Sequence, residues 1–533
     1  MGADLAFLDY CLLTLYLVGT MALGLAIGRR VKTGKDYFLA GRSLPWWAIG
    51  MSLVATDIGG TDIIGVGGAA YSYGLAVANF EWIGCVPALI VAAFVFIPHF
   101  WRIGVYTIPE FMERRYNVAV RVALALCWLL FMACNLGVML FASAKMMTAT
   151  LGLQLDPDGA FGWFSGGEIA GCIVAMALIA GIYTVAGGLA AVVYTDTIQC
   201  VEMIGGCLLV LAIGLYQLGG MAALFEAVAA QEAALAPAAD EIVEHNELIL
   251  PVDTAGPFPW PGILFGLAMI LSPAYWIGNQ AIVQRSLGAR SEFQAKAAYI
   301  WGALLKNLIP LLIAVPGLIA FALYPDLKDG DTSFPLLATR LLPTGLRGIF
   351  LAAFLAALMS SIDSYLNAAA TILTNDLYQR FRSTPLSDVG MLRVGRLTTL
   401  GLIIWAIAFA LWCSNIEGSG IYAIFQTLMS FFQGPALAIL LAGVFWSRAN
   451  GTGALAGFLA GVATAVALFT LNLPAVYTAL GWQPLFRISE PFLYFSVWAF
   501  LVAISVLIVI SLVTKPEPAD KIDGLIYRRR RTA

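Results

Sequence analysis

From Phe7 onward the chain runs through one apolar stretch after another, each some twenty residues or longer, and this repetition limits the possible folds more than any other feature. A helix needs about 20 residues to cross a hydrocarbon core of ~30 Å, because each residue advances it by only about 1.5 Å. About 13 such stretches consume nearly the whole chain. The composition agrees, since 61% of the 533 residues are hydrophobic, 11% are charged, and the mean hydropathy is +0.87. No soluble domain of this size can bury that much apolar surface. The expectation is an all-α polytopic membrane protein, which excludes a soluble enzyme, a nucleic-acid binder and a secreted disulfide scaffold. The first stretch, Phe7 to Gly28, is longer than a signal-peptide core and runs straight into Arg29, Arg30, Lys32 and Lys35, so it reads as the first span.

Net charge is only −3, so orientation has to be read from how the charge is distributed. With the amino end outside, of the 29 Lys and Arg only Lys328, Arg340, Arg347 and Arg487 fall outside, and Lys145 and Lys306 lie within spans. The others fall on inner loops or the tail, from Arg29, Arg102, Arg114, Arg115 and Arg121 to Arg528, Arg529, Arg530 and Arg531. The outer segment from Gly219 to Trp260 carries Glu226, Glu232, Asp240, Glu241, Glu244, Glu247 and Asp253 and no Lys or Arg. This predicts a plasma (inner) membrane protein with its N-terminus outside and its C-terminus cytoplasmic. The residues from Pro516 to Ala533 read as too short for a signalling domain, and the Arg528 to Arg531 run as a positive-inside tail that touches anionic lipid. The eight cysteines (Cys11, Cys85, Cys127, Cys134, Cys172, Cys200, Cys207 and Cys413) lie in or beside apolar stretches without a CxxC pair and read as core residues. His99 and His245, the only histidines, lie at a span end and in an outer loop, which argues against a histidine-based active site or a zinc site.

Two long apolar helices are interrupted in corresponding ways. Asp57-Ile58-Gly59-Gly60 interrupts the span from Trp46 to Tyr73, and Ser272-Pro273 interrupts the span from Trp260 to Gln280. Each opens a block of five helices, and because five is odd the second block enters the membrane from the opposite side. The predicted organisation is an extra helix and basic inner loop over 1–44, a first inverted repeat over 45–218, an acidic outer loop over 219–257, a second inverted repeat over 258–446, two extra helices over 447–514 and a basic cytoplasmic tail over 515–533. Matched breaks in inverted halves point to a transport site near the bilayer midplane, where freed carbonyls and helix ends bind ions.

Polar groups inside spans are costly and are therefore the functional candidates: Asp57, Asp62, Glu81, Asp196, Glu202, Lys306, Asp363 and Asp376. Glu202 and Asp376 read as structural, the latter closing its helix at the inner surface ahead of Arg380. Asp196 follows Gly187-Gly188-Leu189 and opens a helix at Tyr194-Thr195-Asp196, where a carboxylate can also serve as a cap. In the run Ala357-Leu358-Met359-Ser360-Ser361-Ile362-Asp363-Ser364, Ser360 and Ser364 share a helix face and Ser361 lies about 100° away. Such hydroxyls either bond back to their own helix or, with carbonyls of an unwound partner helix, ligate a small monovalent cation. On the second reading Asp57, Asp62 and Glu81, with Lys306 and the stripe Tyr275, Asn279, Gln280 and Gln284, line a hydrophilic cavity.

Asp36-Tyr37-Phe38-Leu39-Ala40-Gly41-Arg42-Ser43-Leu44, Gly187 through Asp196, Tyr275-Trp276, Asn279-Gln280, Val283-Gln284-Arg285 and the Ala357 to Ser364 run together resemble the sodium/solute symporter family over nearly the whole chain. Pro259-Trp260-Pro261-Gly262 and Leu342-Pro343-Thr344-Gly345-Leu346-Arg347-Gly348 bring it nearest to the sodium-glucose cotransporter branch. The resemblance implies a core of five plus five inverted helices, with one helix before it and two after. It implies a first sodium site built from the carbonyls of Ala55, Ile58 and Ala357 and the hydroxyls of Ser360 and Ser361. A second site is implied beside Asp196, using Ser360, the backbone at Asp363 and the Ser364 hydroxyl. Tyr275 matches the aromatic that covers substrate from the inner side, as an inner gate, and Glu81 and Lys306 match sugar-contacting positions. Asp62 stands where sugar carriers usually have an amide or imidazole, and Gly84, Ser272 and Met429 replace larger polar contacts.

The function expected is sodium-coupled symport of a small polar solute by alternating access, with sodium as the coupling ion and no other cofactor or metal. A sugar or polyol leads as the solute; an amino acid, osmolyte or carboxylate is the alternative, as is a proton-coupled carrier on the same scaffold. Asp62 and Glu81 make an amine-bearing or neutral solute easier to accept than an anion. A sensor or embedded enzyme would need a further domain or a nucleophile and base, and neither is visible in the sequence.

Overall fold

Inside hydrocarbon every backbone N–H and C=O has to be paired within its own segment, so apolar stretches of this length become helices. The computed structural model describes residues 6–151, 167–235, 244–254, 256–414, 421–486 and 491–527. Among them the regular elements are all helical, apart from isolated bridges at Leu44–Ala289 and Leu250–Pro259. Arg487, Asp240, Glu241 and the Arg528 to Arg531 run lie outside the described residues.

Helix α1 (Phe7–Gly28) stands ahead of the first set of spans. That set comprises the bent pair α2 (Trp46–Asp57) and α3 (Gly60–Tyr73), a span over Leu75–Ile103, α4 (Val118–Leu151) and α5 (Gly167–Leu218). At 52 residues α5 is more than twice the length a bilayer requires, and Gly188 breaks it at φ 54° and ψ −151°. The second set opens with π-helical turns over Gly262–Leu271, which lead into α6 (Ser272–Gly278) and α7 (Gln280–Leu287). It continues through α8 (Glu292–Lys306) and its extension Ile309–Leu323, α9 (Leu346–Thr371), α10 (Asp388–Cys413), α11 (Ile421–Ser430) and α12 (Gln433–Phe445). Two more helices, α13 (Gly451–Leu471) and α14 (Phe492–Val513), follow. Among the described residues 10 helices can cross a membrane alone and the two bent pairs raise this to 12; dividing α5 at Gly188 makes 13. The predicted all-α fold of two five-span sets, with one span before and two after, is the observed one.

Position in the bundle follows the polarity of each helix. The most apolar window of the α9 span is 94% buried, against 28% for α1, α13 and α14, so the helix with the serine run is central and the added helices face lipid. Two boundaries differ from the sequence expectation. The second bent span turns by 49° at Gly278–Gln280 instead of at Ser272-Pro273. Pro273 sits in the first turn of α6, where a missing N–H costs little because the π-helical turns ahead of it have already shifted the pairing. The expected helix start near Tyr194 also moves, since helix resumes directly after Gly188. Asp196 is therefore inside the helix and does not cap it.

Candidate functional site

The first break creates the site. Ile58 leaves helical geometry at φ −89° and ψ 79°, and Gly59 is extended. The Gly59 N–H bonds to the Asp57 carbonyl and the Asp62 carboxylate, both at 3.1 Å, so it does not close the helical bond to Ala55. The carbonyls at the end of α2 are left needing partners, and α9 supplies them. Ser360 Oγ donates to the Ala55 carbonyl at 2.7 Å and to Ala357 at 2.9 Å. Ser361 Oγ donates to Thr56 at 2.9 Å and to Ala357 at 3.3 Å. Each hydroxyl thus bonds both back to its own helix and across to the broken one. The donor set is buried and all oxygen, as a hard monovalent cation requires. Ala55, Ala357, Ser360 and Ser361 come together at this point, Ile58 lies in the break, and Thr56 joins them without having been singled out from the sequence.

Asp196 is fully buried beside this cluster. Its Oδ2 accepts from Ser52 Oγ at 2.5 Å, from Thr56 Oγ1 at 3.3 Å and from Arg285 Nη2 at 3.3 Å, while Oδ1 has no partner among the described residues. Arg285 Nε donates to Ser52 Oγ at 2.6 Å, and its terminal nitrogens also reach Thr56, Ser364 and the Ala281 carbonyl. Ser364 Oγ lies 2.9 Å from Thr56 Oγ1 and donates to the Ser360 carbonyl at 2.5 Å. The Asp363 carboxylate turns to Tyr183, whose hydroxyl donates at 2.6 Å. Asp196, Ser360, Asp363 and Ser364 therefore sit close to one another, and the Arg285 guanidinium stands among them. A buried guanidinium and a buried carboxylate compensate one another's lost hydration.

On the other side of the break lies a cavity that is partly open to solvent. Asp57, Asp62, Glu81, Cys85, Ser272, Tyr275, Trp276, Gln426, Met429 and Gln433 line it with apolar neighbours. Fully buried Lys306, at the end of α8, pairs with Asp57 and, at 2.6 Å, with Glu81, and stands 5.8 Å from the centre of the Trp276 ring. The Tyr275 hydroxyl is 3.5 Å from that of Tyr365. Asn279 caps α7 by accepting from Ala281 N at 2.9 Å and donates to Tyr365 at 3.4 Å.

Gln280 does not reach the cavity: it accepts from Ile108 N and donates to the Tyr106 carbonyl, both at 3.1 Å. Gln284 is likewise spent on Phe38 and Thr371, at 2.6 and 2.8 Å. Gln426 and Gln433 do line the cavity, although the sequence reading passed over them. They lie seven residues apart in an apolar stretch, a spacing that on a continuous helix puts two amides on one side; here a turn at 431–432 separates α11 from α12, and both amides still line the cavity. Asp376 accepts from Thr107 at 2.7 Å and pairs with Arg121 at 2.8 Å, away from the cavity. Arg121 and Arg380 also pair with Glu113, at 2.6 and 2.7 Å. Burial pushes the Glu113 carboxyl up, but the Arg380 and Arg121 guanidiniums outweigh it and hold the group below the usual carboxylate range.

Residues 37–461 match the family model described as the sodium:solute symporter family. A sodium/glucose cotransporter of Vibrio parahaemolyticus is 32% identical over 488 residues, covering 87% of this chain and 85% of its own. A sodium/myo-inositol cotransporter 2 of Oryctolagus cuniculus is also 32% identical, covering 98% of this chain and 79% of its own. Among solved structures, the substrate-bound, outward-open state of a Na+-coupled sialic acid symporter superposes with a TM-score of 0.77 at 21% identity, over 96% of this chain and 99% of that one. A nucleobase-cation-symport-1 family transporter in a closed conformation gives 0.55 at 12% identity, over 91% and 97%; both likenesses are of fold.

Proposed function

Because the chain belongs to the sodium:solute symporter family, and so is a multi-pass sodium-coupled symporter, we propose that its solute is a sugar or polyol imported by alternating access, and that it acts as a carrier and not as an enzyme. One observation carries this reading. The broken end of α2 presents the Ala55 and Thr56 carbonyls to the α9 serines on one side and the Asp57 carboxylate to the cavity on the other. An ion bound to those carbonyls and a solute bound at Asp57, Asp62, Glu81, Tyr275 and Lys306 therefore bias the same two-state element, which is what coupling requires. Relatives named for glucose and myo-inositol support a polyhydroxy solute.

The first sodium site in this reading is Ala55, Ile58, Ala357, Ser360 and Ser361, with Thr56 added. The second is Asp196, Ser360, Asp363 and Ser364, and a cation can occupy it only when the Arg285 guanidinium withdraws. Asn279 shapes the cavity through α7 and Tyr365, and Tyr275 closes it from the inner side. The N-terminus is outside and the C-terminus cytoplasmic, in the plasma (inner) membrane; the pairing of Arg121 and Arg380 with Glu113 and Asp376 supports this, because it joins segments that the charge count puts on one side. The test is uptake of labelled glucose and myo-inositol by vesicles with and without sodium. We expect sodium-dependent uptake of at least one of them, lost in Glu81→Ala; uptake indifferent to sodium, or full uptake by Glu81→Ala, would remove the assignment.

A further inference from the structure

The cavity presents more carboxyl groups than a neutral solute needs. Three carboxyl side chains, Asp57, Asp62 and Glu81, face it, while Lys306, the one ammonium that pairs with them among the described residues, is spent on Asp57 and Glu81. Asp62 forms no ion pair at contact distance among the described residues, and its Oδ2 accepts the Gly59 N–H at 3.1 Å. Ligand atoms of Asp57, Glu81 and Cys85 lie within 4.8 Å of one another, the spacing of a metal site, but the Lys306 ammonium already pairs with both carboxylates there. A second, independent group also points to a ligand. Gln433 is 1% exposed and lines the same cavity, and its Nε2 has no hydrogen-bond partner among the described residues. A buried amide donor left unpaired is costly and calls for an acceptor such as a hydroxyl oxygen. The chemistry that satisfies both is a solute with hydroxyls for Gln433 and a positive charge for Asp62.

We propose that the cavity takes a polyhydroxy solute bearing a cationic amine, an amino sugar or amino polyol, with its ammonium at Asp62 and a hydroxyl at Gln433. This rests on the reading of the site as one for a sugar or polyol and narrows it. Asp62 would be the residue that selects for charge, and Lys306 remains the internal counter-ion of the other two carboxylates. Neutral sugars leave Asp62 facing an uncharged group and bind less well. Anionic sugars meet surplus negative charge and are excluded.

The experiment is competition by matched pairs against sodium-dependent uptake in proteoliposomes: glucosamine against glucose, glucamine against glucitol, and N-acetylglucosamine as the neutral analogue of similar shape. We expect each cationic member to compete at a concentration about tenfold or more below its neutral partner, and N-acetylglucosamine to give no such gain. Asp62→Asn, which retains a side-chain acceptor for the Gly59 N–H, should bring the ratio within each pair towards one, and Gln433→Leu should weaken both members alike. Neutral members that compete as well as cationic ones, or a cationic preference that survives Asp62→Asn, would overturn the proposal while leaving sugar transport standing. No competition by any member, with sodium dependence retained for another solute, would overturn the sugar reading and this proposal together.

Discussion

At the scale of single residues, the proposed ion site rests on hydroxyls that serve two helices at once. Ser361 reaches Thr56 on the broken helix and Ala357 on its own. Its removal should weaken the ion without unfolding the protein. We expect Ser361→Ala to raise the sodium concentration for half-maximal uptake by about tenfold, the equivalent of about 1.4 kcal/mol for one lost oxygen ligand. Sodium titration of uptake, with insertion checked by surface labelling, measures it, and an unchanged sodium dependence would remove the assignment. These serines were legible in the sequence because polar groups stand out in an apolar helix. Arg285 was legible only as part of a motif, since its meeting with Asp196, 89 positions away, arises from tertiary packing. Gln280 and Gln284 were misleading for the same reason: a polar stripe on a helix does not reveal which neighbour consumes it.

At the scale of elements, the breaks do the work that side chains cannot. The first was legible because paired glycines beside a carboxylate leave little doubt about where a helix yields. The second was displaced to Asn279, because π-helical turns absorb Pro273 and no sequence pattern announces such turns. The kink in α5 depends on Gly188, whose φ of 54° disfavours a side chain and whose Cβ position is filled by the Tyr37 carbonyl. Gly188→Ala should cost about 1–2 kcal/mol from backbone strain alone, and contact with Tyr37 adds to that. A lowered unfolding temperature of the detergent-solubilised protein is the expected readout, and an unchanged one would show that α5 adapts freely. A further element-scale tie is Glu113, which joins the segment Ile108–Arg115 to Arg121 and Arg380. Because its folded pKa is depressed, its contribution is present above the unfolded carboxyl value of about 4.3 and is lost as pH falls through the folded one. The thermal-stability gap between wild type and Glu113→Gln should therefore be widest near neutral pH and close in acid; a gap independent of pH would contradict this.

At the scale of the whole molecule, the proposed ion cluster and solute cavity lie on opposite sides of the first helix break, and coupling in that reading is a property of the arrangement. The span count and the two-set plan were legible, because apolar length and charge asymmetry are additive along a chain. The cavity lining was less so, since it is built from side chains that converge from the broken helix, the Phe80–Cys85 turns, α6 and the last spans of the second set. Coupling to two ions rather than one has a large consequence. Each charge moved through 100 mV contributes about 2.3 kcal/mol, or roughly fifty-fold in accumulation, before its chemical gradient is counted. The reversal potential of solute flux in proteoliposomes under imposed sodium gradients, with a neutral transported sugar or polyol, reads the coupling directly. The reversal potential should shift with the sodium gradient at two ions per solute, falling to one in Asp196→Asn; a solute flux whose reversal ignores the sodium gradient would rule out sodium coupling.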